Sequence, residues 1–344
     1  MKVAIVRNQS FDGVVSLFGR RCPETYSART VQATADGLRE GGHLVITTEG
    51  DKQMLAELAR FMPADEHGNP GGIVFNMAYG IQGDCRYTHV PAMLEMAGIP
   101  YTGSDPLGHA LALDKVITKT LLRSARVPTP DDCVMRDGHD RWPASLRFPL
   151  VVKPRHESTS FGLRLVQTPD ELREAVEAVA STYQQDALVE EYVDGREVCV
   201  ALLGNEEMEI LPLVEQDFGD RPVRMVTWED KYHKTSLPAA KSCPAPLGEP
   251  LAAHIRAIAV ATFRACRCRD YARVDLRIDR QGHPFVLEIN SMASLGPSGS
   301  YVLAAAAAGY TNAGLVNRIL DVAHTRYFGV PATRFESAVH ASIA

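Results

Sequence analysis

The sequence has no excess of basic residues and no long apolar run. Its 344 residues include 36 lysines and arginines against 42 aspartates and glutamates, which gives a net charge of −6. Binding to a nucleic-acid backbone needs a basic surface, so this balance argues against nucleic acid as the main partner. It leaves room for a local basic pocket that holds one nucleotide. No segment approaches the run of about 20 apolar residues that spans a bilayer, so we expect no membrane partner.

The chain also lacks paired cysteines of the kind that bind structural zinc. The seven cysteines are scattered, and the Cys-x-Cys at Cys266 and Cys268 has no second ligand pair near it. This pattern predicts reduced thiols in a cytoplasmic protein rather than disulfides or structural zinc. The N-terminal run MKVAIVRNQ is too short for a signal peptide and predicts a buried first strand.

Strand-like and helix-like segments alternate through the first third of the chain. The predicted strands are residues 3–6, 44–47 and 73–75, and the predicted helices are residues 25–39, 52–60 and 88–96. Such an order indicates a parallel sheet covered by helices, an α/β fold. A further helix is expected to carry Lys115 and Lys119 and to end before Pro128. Beyond that proline the pattern changes to α+β.

Two β-like runs near the C-terminus, residues 272–278 and 284–290, are joined by a turn-rich tetrapeptide that suits a hairpin. Arg273 and Asp275 alternate on the first run, and Glu288 and Asn290 on the second, so each pair shares one face of its strand. One cation and three oxygen donors on a sheet face suit magnesium bridging a polyphosphate. A solvated hairpin face with an ion pair has the same pattern.

Three other segments carry groups suited to a nucleotide. Residues 153–162, hereafter the lysine–hydroxyl loop, place Lys153 at a strand end before a hydroxyl-rich stretch that can fold over phosphates, although its glycine spacing differs from that of a P-loop. Residues 190–197 set Glu190 and Glu197 around a turn that could accept from an adenine amino group and a ribose. Residues 228–235 hold lysines and hydroxyls that suit a loop closing over a phosphate. Each alone is equally typical of exposed polar chain.

The order of these segments resembles that of ATP-grasp ligases, and of D-alanine–D-alanine ligases in particular. The matching phrases are IPYTGS at 99–104, ALDK at 112–115, VKP at 152–154, VEEYVDG at 189–195, DKY at 230–232 and LEIN at 287–290. The resemblance implies an N-terminal parallel α/β preATP-grasp domain, residues 1–105. Two α+β subdomains, residues 106–205 and 206–344, would then hold ATP between them.

The resemblance also implies roles for individual residues. Phosphate-binding cations are Lys115, Lys153, Lys231 and Arg273; Ser160 and Leu287 adjoin ATP; Glu190 serves adenine and Glu197 ribose; Asp275, Glu288 and Asn290 hold two Mg²⁺ ions, with Mn²⁺ as an alternative ion. Thr159 and Tyr232 match a serine and a tyrosine of the family's active-site hydrogen-bond network. Arg273, Lys231, Thr159 and Tyr232 are therefore the predicted catalytic residues. The implied reaction is attack of a substrate carboxylate on the γ-phosphate of ATP, followed by attack of an amine on the acylphosphate. The protein's contribution is mainly positioning and charge neutralisation.

The pattern departs from that of the family at the substrate positions. Val14 stands where the family has a glutamate for the ammonium group of the first D-alanine, with Asp12 as the nearest substitute, and Tyr79 replaces a histidine. The loop after Asn290 is also changed: Gly299 faces the usual serine, and Ser298 and Ser300 flank it. The polar loop before residue 90 adds Arg86, Tyr87 and His89 as candidate substrate contacts.

A site that lost its ammonium partner would hold a small zwitterion poorly, because a buried unpaired charge is unfavourable. The sequence therefore predicts a carboxylate–amine ligase for amino-acid-like substrates other than a plain D-alanine pair. A genuine D-alanine–D-alanine ligase, a non-catalytic ATP-binding relative and a kinase that stops at the acylphosphate are the alternatives. The intact set of Asp275, Glu288 and Asn290 argues against the non-catalytic one. Because the family often forms dimers, a homodimer is also left open.

Overall fold

The computed structural model describes residues 1–17, 19–221, 223–226 and 240–332. Its N-terminal part is a three-stranded parallel sheet of order β2-β1-β3 with helices packed on it. The elements are β1 (Lys2–Arg7), α1 (Ala28–Glu40), β2 (Leu44–Glu49), α2 (Met54–Phe61), β3 (Ile73–Met77) and α3 (His89–Met96), the last preceded by a 3-10 turn at Arg86–Thr88. The predicted alternation and parallel sheet are confirmed. Helix α1 begins three residues later than expected because the Ser27 side chain accepts a hydrogen bond from the Thr30 amide and caps it.

The second part is a four-stranded sheet of order β4-β7-β5-β6 with helix α6 packed on it. The elements are α4 (Pro106–Leu113), α5 (Lys115–Ser124), β4 (Asp132–Met135), β5 (Leu150–Pro154), β6 (Arg164–Val166), α6 (Pro169–Tyr183) and β7 (Ala187–Glu191). The single helix expected around Lys115 is two helices. Asp114 has an extended ψ of 99°, and its carboxylate accepts from the amides of Val116 and Ile117, so α5 starts afresh at Lys115. This break makes Lys115 the first residue of α5, and its buried side chain lines the cleft described below.

The third part is a six-stranded antiparallel sheet of order β11-β10-β8-β12-β13, with β9 beside β8. The elements are β8 (Gly195–Gly204), β9 (Met208–Ile210), β10 (Val214–Asp217), β11 (Ala240–Ser242), α7 (Glu249–Ala265), β12 (Tyr271–Asp279), β13 (Pro284–Asn290), α8 (Ser300–Ala307) and α9 (Asn312–Phe328). The sheet of this part therefore begins at Gly195, 11 residues before residue 206, where the third part was expected to start. Every strand partner of β8 belongs to this sheet.

The N-terminal and C-terminal parts share one hydrophobic core. Helix α9 packs against α1 so closely that a Cβ on Gly37 would lie 2.9 Å from Val316 Cγ2. Beside this contact, Arg326 donates to both carboxylate oxygens of the fully buried Asp270 at 2.9 and 2.8 Å. Asp270 also accepts from the Gly103 amide at 2.8 Å. These contacts join the N-terminal and C-terminal parts of the chain. None of the helices in the described ranges has the length and apolar character needed to cross a bilayer.

Candidate active site

A cleft of about 560 Å³ lies where the second and third sheets face each other beneath the N-terminal part. This volume is typical of a small-molecule site. Sixteen of the residues singled out from the sequence line it: Tyr79, Tyr87, Lys115, Lys153, Thr159, Ser160, Glu190, Glu197, Arg273, Asp275, Leu287, Glu288, Asn290, Ser298, Gly299 and Ser300. Lys231 and Tyr232, with the rest of residues 228–235, lie outside the described residues. The cleft thus gathers side chains that are far apart in the sequence.

The hairpin of β12 and β13 forms one wall of the cleft. Arg273 is registered with Asn290, and Asp275 with Glu288. Arg273 donates through Nε and Nη2 to the two Asp275 oxygens, both at 2.7 Å, and Asn290 Nδ2 donates to Asp275 Oδ2 at 3.0 Å. Burial would lower the pKa of Arg273, but the Asp275 carboxylate outweighs burial and raises it. The four predicted hairpin side chains therefore share one face.

A β-bulge follows this platform and explains the position of Leu287. The register passes from Asp275 paired with Glu288 to Leu276 paired with Val286, so Leu287 has no partner on β12. An extra residue of this kind bends the strand and re-aims its neighbours. Strict alternation would send Leu287 to the face opposite Glu288, yet both line the cleft.

Glu190 holds the ammonium groups of two lysines. Lys153 Nζ donates to Glu190 Oε1 at 2.5 Å, and Lys119 Nζ donates to Oε2 at 3.0 Å. Glu190 is 2% exposed, and burial would raise its pKa, but the two lysines outweigh burial and lower it to about 2. The carboxylate is therefore ionised. Lys119 was not among the predicted site residues; its place four residues after Lys115, on the same helix face, is the signal that could have indicated it.

Lys115 lies at the junction of several walls. Its Nζ donates to the Glu157 carbonyl oxygen and lies 3.8 Å from Glu288 Oε2. Burial lowers the pKa of this lysine, and the Glu288 carboxylate opposes that effect. Elsewhere in the cleft, Glu197 accepts a hydrogen bond from Arg277 Nη1 at 2.9 Å. Arg277 also donates to the Val193 carbonyl at 2.6 Å, which fixes the turn before β8.

The lysine–hydroxyl loop has an unusual backbone. Thr159, Ser160 and Gly162 have φ values of 55°, 60° and 68°, in the left-handed region that is unfavourable for residues with a side chain. Backbone N–H groups of such segments form concave anion sites. The buried Thr159 hydroxyl has no hydrogen-bond partner among the described residues. Both observations suit a loop that contacts an anionic ligand.

Tyrosines and serines form the remaining end of the cleft. Tyr79 stacks on Tyr26 with ring centroids 4.9 Å apart and lies 5.4 Å from Tyr87, and all three rings line the cleft. Ser298 receives a hydrogen bond on its carbonyl from Lys241 Nζ at 2.6 Å. Gln216 Nε2 lies 3.4 Å from the Ser300 hydroxyl. Tyr26 was not among the predicted residues.

The structure corrects the predictions for the ammonium end. Asp12 is exposed and lines a separate hollow beside Arg7 and Asp51. The carboxylate that does line the cleft is Glu24, which accepts from the Tyr87 hydroxyl at 2.9 Å. Val14, which stands where the family has its glutamate, does not line the cleft. The signal that was missed is the place of Glu24, three residues before Ser27, which caps α1.

Two further candidates also lie elsewhere than expected. Arg86 does not line the cleft: it is 2% exposed and bonded to Glu24 and Glu157 behind the cleft wall. A charged residue in a polar loop was expected to face the substrate, but two buried carboxylates draw it inward. His89 is exposed at the first residue of α3 and does not line the cleft either. Tyr87 does line it.

The donor set fits magnesium. Asp275, Glu288 and Asn290 offer oxygen donors on one wall, and Mg²⁺ is usually held by one or two carboxylates together with substrate phosphates and water. No group of three histidines, cysteines, aspartates or glutamates arranged to hold an ion is present in the described ranges. Two carboxylates, an amide and a polyphosphate therefore agree better with this site than an all-protein metal cage.

The cleft between two antiparallel sheets, with paired lysines on one side and a carboxylate hairpin on the other, defines an ATP-grasp enzyme. Residues 128–321 match the family model described as D-ala D-ala ligase C-terminus. The chain is 35% identical over 245 residues to a D-alanine–D-alanine ligase of Alkalilimnicola ehrlichii, which covers 70% of this chain and 76% of that protein. It therefore belongs to the D-alanine–D-alanine ligase family and is an ATP-dependent ligase that forms a C–N bond.

Two further similarities extend over nearly the whole chain. The chain is 55% identical over 333 residues to the uncharacterized protein y4sG of Sinorhizobium fredii (strain NBRC 101917 / NGR234), which covers 96% of this chain and 98% of that protein. The fold of the present chain is similar to that in the crystal structure of D-alanine–D-alanine ligase from Bacillus anthracis complexed with ATP, with a TM-score of 0.70 and 20% identity. That match covers 94% of this chain and 97% of the other, so the likeness extends over the whole fold.

Proposed function

We propose that this enzyme joins a carboxylate to an amine through an acylphosphate, on amino-acid-like substrates other than a plain pair of D-alanines. The observation that carries the ligase chemistry is the convergence of Lys115, Lys153 and Arg273 with Asp275 and Glu288 in one cleft. Cations and carboxylates so arranged suit a polyphosphate and its metal ions. A homodimer and a cytoplasmic location stay predictions.

In this proposal ATP lies along the hairpin, with its base toward Glu190 and its ribose toward Glu197. Lys115, Lys153 and Arg273 neutralise the phosphates, and the lysine–hydroxyl loop with Thr159 and Ser160 covers them. Lys231 and Tyr232 would join them from residues 228–235. Asp275, Glu288 and Asn290 would hold two Mg²⁺ ions, or Mn²⁺, which supply charge neutralisation at the β- and γ-phosphates.

A substrate carboxylate then attacks the γ-phosphorus, and the bond to the β–γ bridging oxygen breaks, releasing ADP. The amine of the second substrate attacks the acyl carbon, and inorganic phosphate leaves as the amide forms. The protein positions both nucleophiles and excludes water from the acylphosphate.

The residues that support a changed substrate belong to the part of the cleft lined by tyrosines and serines. Glu24 offers a carboxylate for a substrate ammonium group, so the loss of that partner expected from the sequence no longer supports the case. Three features remain as support: the wall of Tyr26, Tyr79 and Tyr87, the contacts of Ser298 and Ser300, and Lys241 beside them. Aromatic faces favour a flat or apolar side chain more than a methyl group.

A genuine D-alanine–D-alanine ligase is the second candidate, and Glu24 is the observation that favours it. A carboxylate at the substrate end is what an amino acid's ammonium group needs. Under this reading the tyrosines shape the cleft without changing the substrate.

A panel assay separates the two candidates. ADP release is measured by enzyme coupling with single D- and L-amino acids, pairs of them, and small carboxylates, and the product is identified by mass spectrometry. We expect the highest kcat/KM with a pair other than two D-alanines. Strong and selective activity with D-alanine alone would overturn the substrate proposal in favour of the second candidate. ADP release that requires no amine would instead indicate a kinase.

A further inference from the structure

A buried arginine joins the substrate end of the cleft to the lysine–hydroxyl loop. Arg86 Nη2 donates to Glu24 Oε1 at 3.1 Å and to Glu157 Oε2 at 3.3 Å. Its Nη1 donates to the His156 carbonyl at 3.2 Å. Glu24 belongs to the N-terminal part, whereas His156 and Glu157 belong to the lysine–hydroxyl loop. One guanidinium therefore links two separately folded walls of the site.

The charges in this cluster make the arginine difficult to replace. Glu24 and Glu157 are only 7% and 4% exposed, and both point at the same Arg86 nitrogen. Arg20 Nη1 also faces Glu157, but at 3.8 Å and with a side chain 32% exposed. Buried carboxylates need close partners, and the planar fork of arginine can serve two at once where lysine offers a single point charge.

The same cluster continues to the phosphate end of the cleft. The carbonyl of Glu157 accepts from Lys115 Nζ, and Lys115 lies 3.8 Å from Glu288 on the hairpin. Gln185 Nε2 donates to Glu157 Oε1 at 3.0 Å and holds the carboxylate from the other side. A shift of Glu157 would therefore move the residue that anchors Lys115.

We propose that Arg86 is a positioning residue that couples amino-acid binding at Glu24 to the placement of the lysine–hydroxyl loop over ATP. The inference rests on the proposed function, in which Glu24 receives the substrate ammonium group. That ammonium takes up part of the Glu24 charge, so Arg86 interacts more strongly with Glu157 and holds the loop in place. Coupling between two binding sites is reciprocal, so each ligand strengthens the binding of the other by one common factor.

Calorimetry with two ligands tests this coupling. The Kd of Mg²⁺–AMP-PNP is measured without and with saturating D-alanine, and again with the amino acid that the ADP-release panel selects. We expect the amino acid to tighten nucleotide binding at least about fivefold in the wild type. Arg86→Met should abolish this factor and raise the KM for the amino acid at least about tenfold, with the Kd of the nucleotide alone changed less than twofold. Arg86→Lys should restore part of the coupling.

Arg326→Lys is the matched control, because Arg326 also bridges two parts of the chain through a buried carboxylate, Asp270, but outside the cleft. It should lower the melting temperature and keep the coupling. Glu157→Gln is a second test should Arg86→Met fold poorly, and it should lose the coupling while Glu24 stays in place.

Absence of coupling in the wild type would overturn the inference, and so would wild-type coupling in Arg86→Met or, where that variant folds poorly, in Glu157→Gln. Failure of the proposed function is distinguishable, since it would appear as no ADP release that depends on an amino acid.

Discussion

Replacement of Lys119 by methionine tests whether the buried charge cluster around Glu190 is organised as the structure indicates. Lys119 is fully buried, and its ammonium donates to Glu190 at 3.0 Å and to the Thr129 hydroxyl at 2.7 Å. It also lies 3.7 Å from Asp132. Methionine keeps most of the side-chain volume, so the change removes the charge and its hydrogen bonds without opening a large cavity.

The magnitude follows from the charges left behind. Removing one partner of a buried ion pair lowers the free energy of unfolding by about 3 to 5 kcal/mol, because the other charge stays buried. Glu190 keeps Lys153 as a partner, and Asp132 keeps Arg123, so the lower end of that range applies. We expect a loss of about 3 kcal/mol. ATP binding should weaken as well, because Lys153 then neutralises Glu190 alone and is less available to a phosphate.

The pH dependence gives an independent check. The pKa of Glu190 is lowered from 4.5 to about 2 by the two lysines against the effect of burial. Such a difference corresponds to about 3 kcal/mol of stabilisation. Because the folded-state pKa lies below the unfolded one, this stabilisation is present above about pH 4.5 and is lost as the pH falls through about 2. In Lys119→Met the folded-state pKa of Glu190 should rise toward the unfolded value, so the loss of stability in acid should be smaller and should be complete at a higher pH.

The measurements are urea unfolding at pH 7 and at intervals down to pH 3, together with the KM for ATP. Lys52→Met, at an exposed position, is the control and should change the free energy of unfolding by less than about 0.5 kcal/mol. A loss below about 1 kcal/mol in Lys119→Met, with an unchanged acid profile, would refute the idea that Lys119 holds Glu190 ionised.

Three other changes address the walls of the cleft. Asp275→Asn removes the charge that holds Arg273 and that the proposed magnesium site would use, and we expect ADP release to fall at least about a hundredfold with little change in melting temperature. A fully active variant would contradict a role for Asp275 in metal binding. Glu24→Gln should raise the KM for the amino acid about tenfold or more and leave the KM for ATP within about twofold, measured in the coupled assay, and the reverse pattern would place Glu24 at the nucleotide. Gly162→Ala would put a Cβ 2.8 Å from Tyr183 Cε2 at a φ of +68°. We expect the free energy of unfolding in urea to fall by about 1 to 3 kcal/mol and the KM for ATP to rise. An unchanged free energy of unfolding and an unchanged KM would contradict the role given to this backbone.

The side chains that lie on regular strands could be placed from the sequence, because successive residues of a β-strand point to opposite faces. Arg273, Asp275, Glu288 and Asn290 were expected on one face of a hairpin, and their side chains do meet there. The bulge at Leu287 is not visible in that period, since it depends on the register between two strands. Its place in the cleft was expected only from the resemblance.

The parts on irregular chain were not accessible in the same way. Glu24 lies in a segment without periodicity, and its position is set by Arg86 and Tyr87, more than 60 residues further along the chain. Asp12 was expected to bind the substrate ammonium group because it lies two residues from Val14, the position of the family's glutamate. It lines another hollow instead. The break at Asp114 was missed because the apolar pattern runs through it, whereas a side-chain cap decides where α5 starts.

The carboxylates of the cleft hold its cations in place before they hold any ligand. Asp275 fixes Arg273, Glu190 fixes Lys153, and Glu197 fixes Arg277, each at 2.5 to 2.9 Å. A cation that is already desolvated and oriented needs little reorganisation when a phosphate arrives, and this is where electrostatic catalysis gains most. Magnesium would then pair with the carboxylates and the polyphosphate with the cations, so the net buried charge would change little. Removing one carboxylate should accordingly harm catalysis more than binding, because the cation it fixes would still be attracted to the phosphates but would no longer be oriented for the transition state.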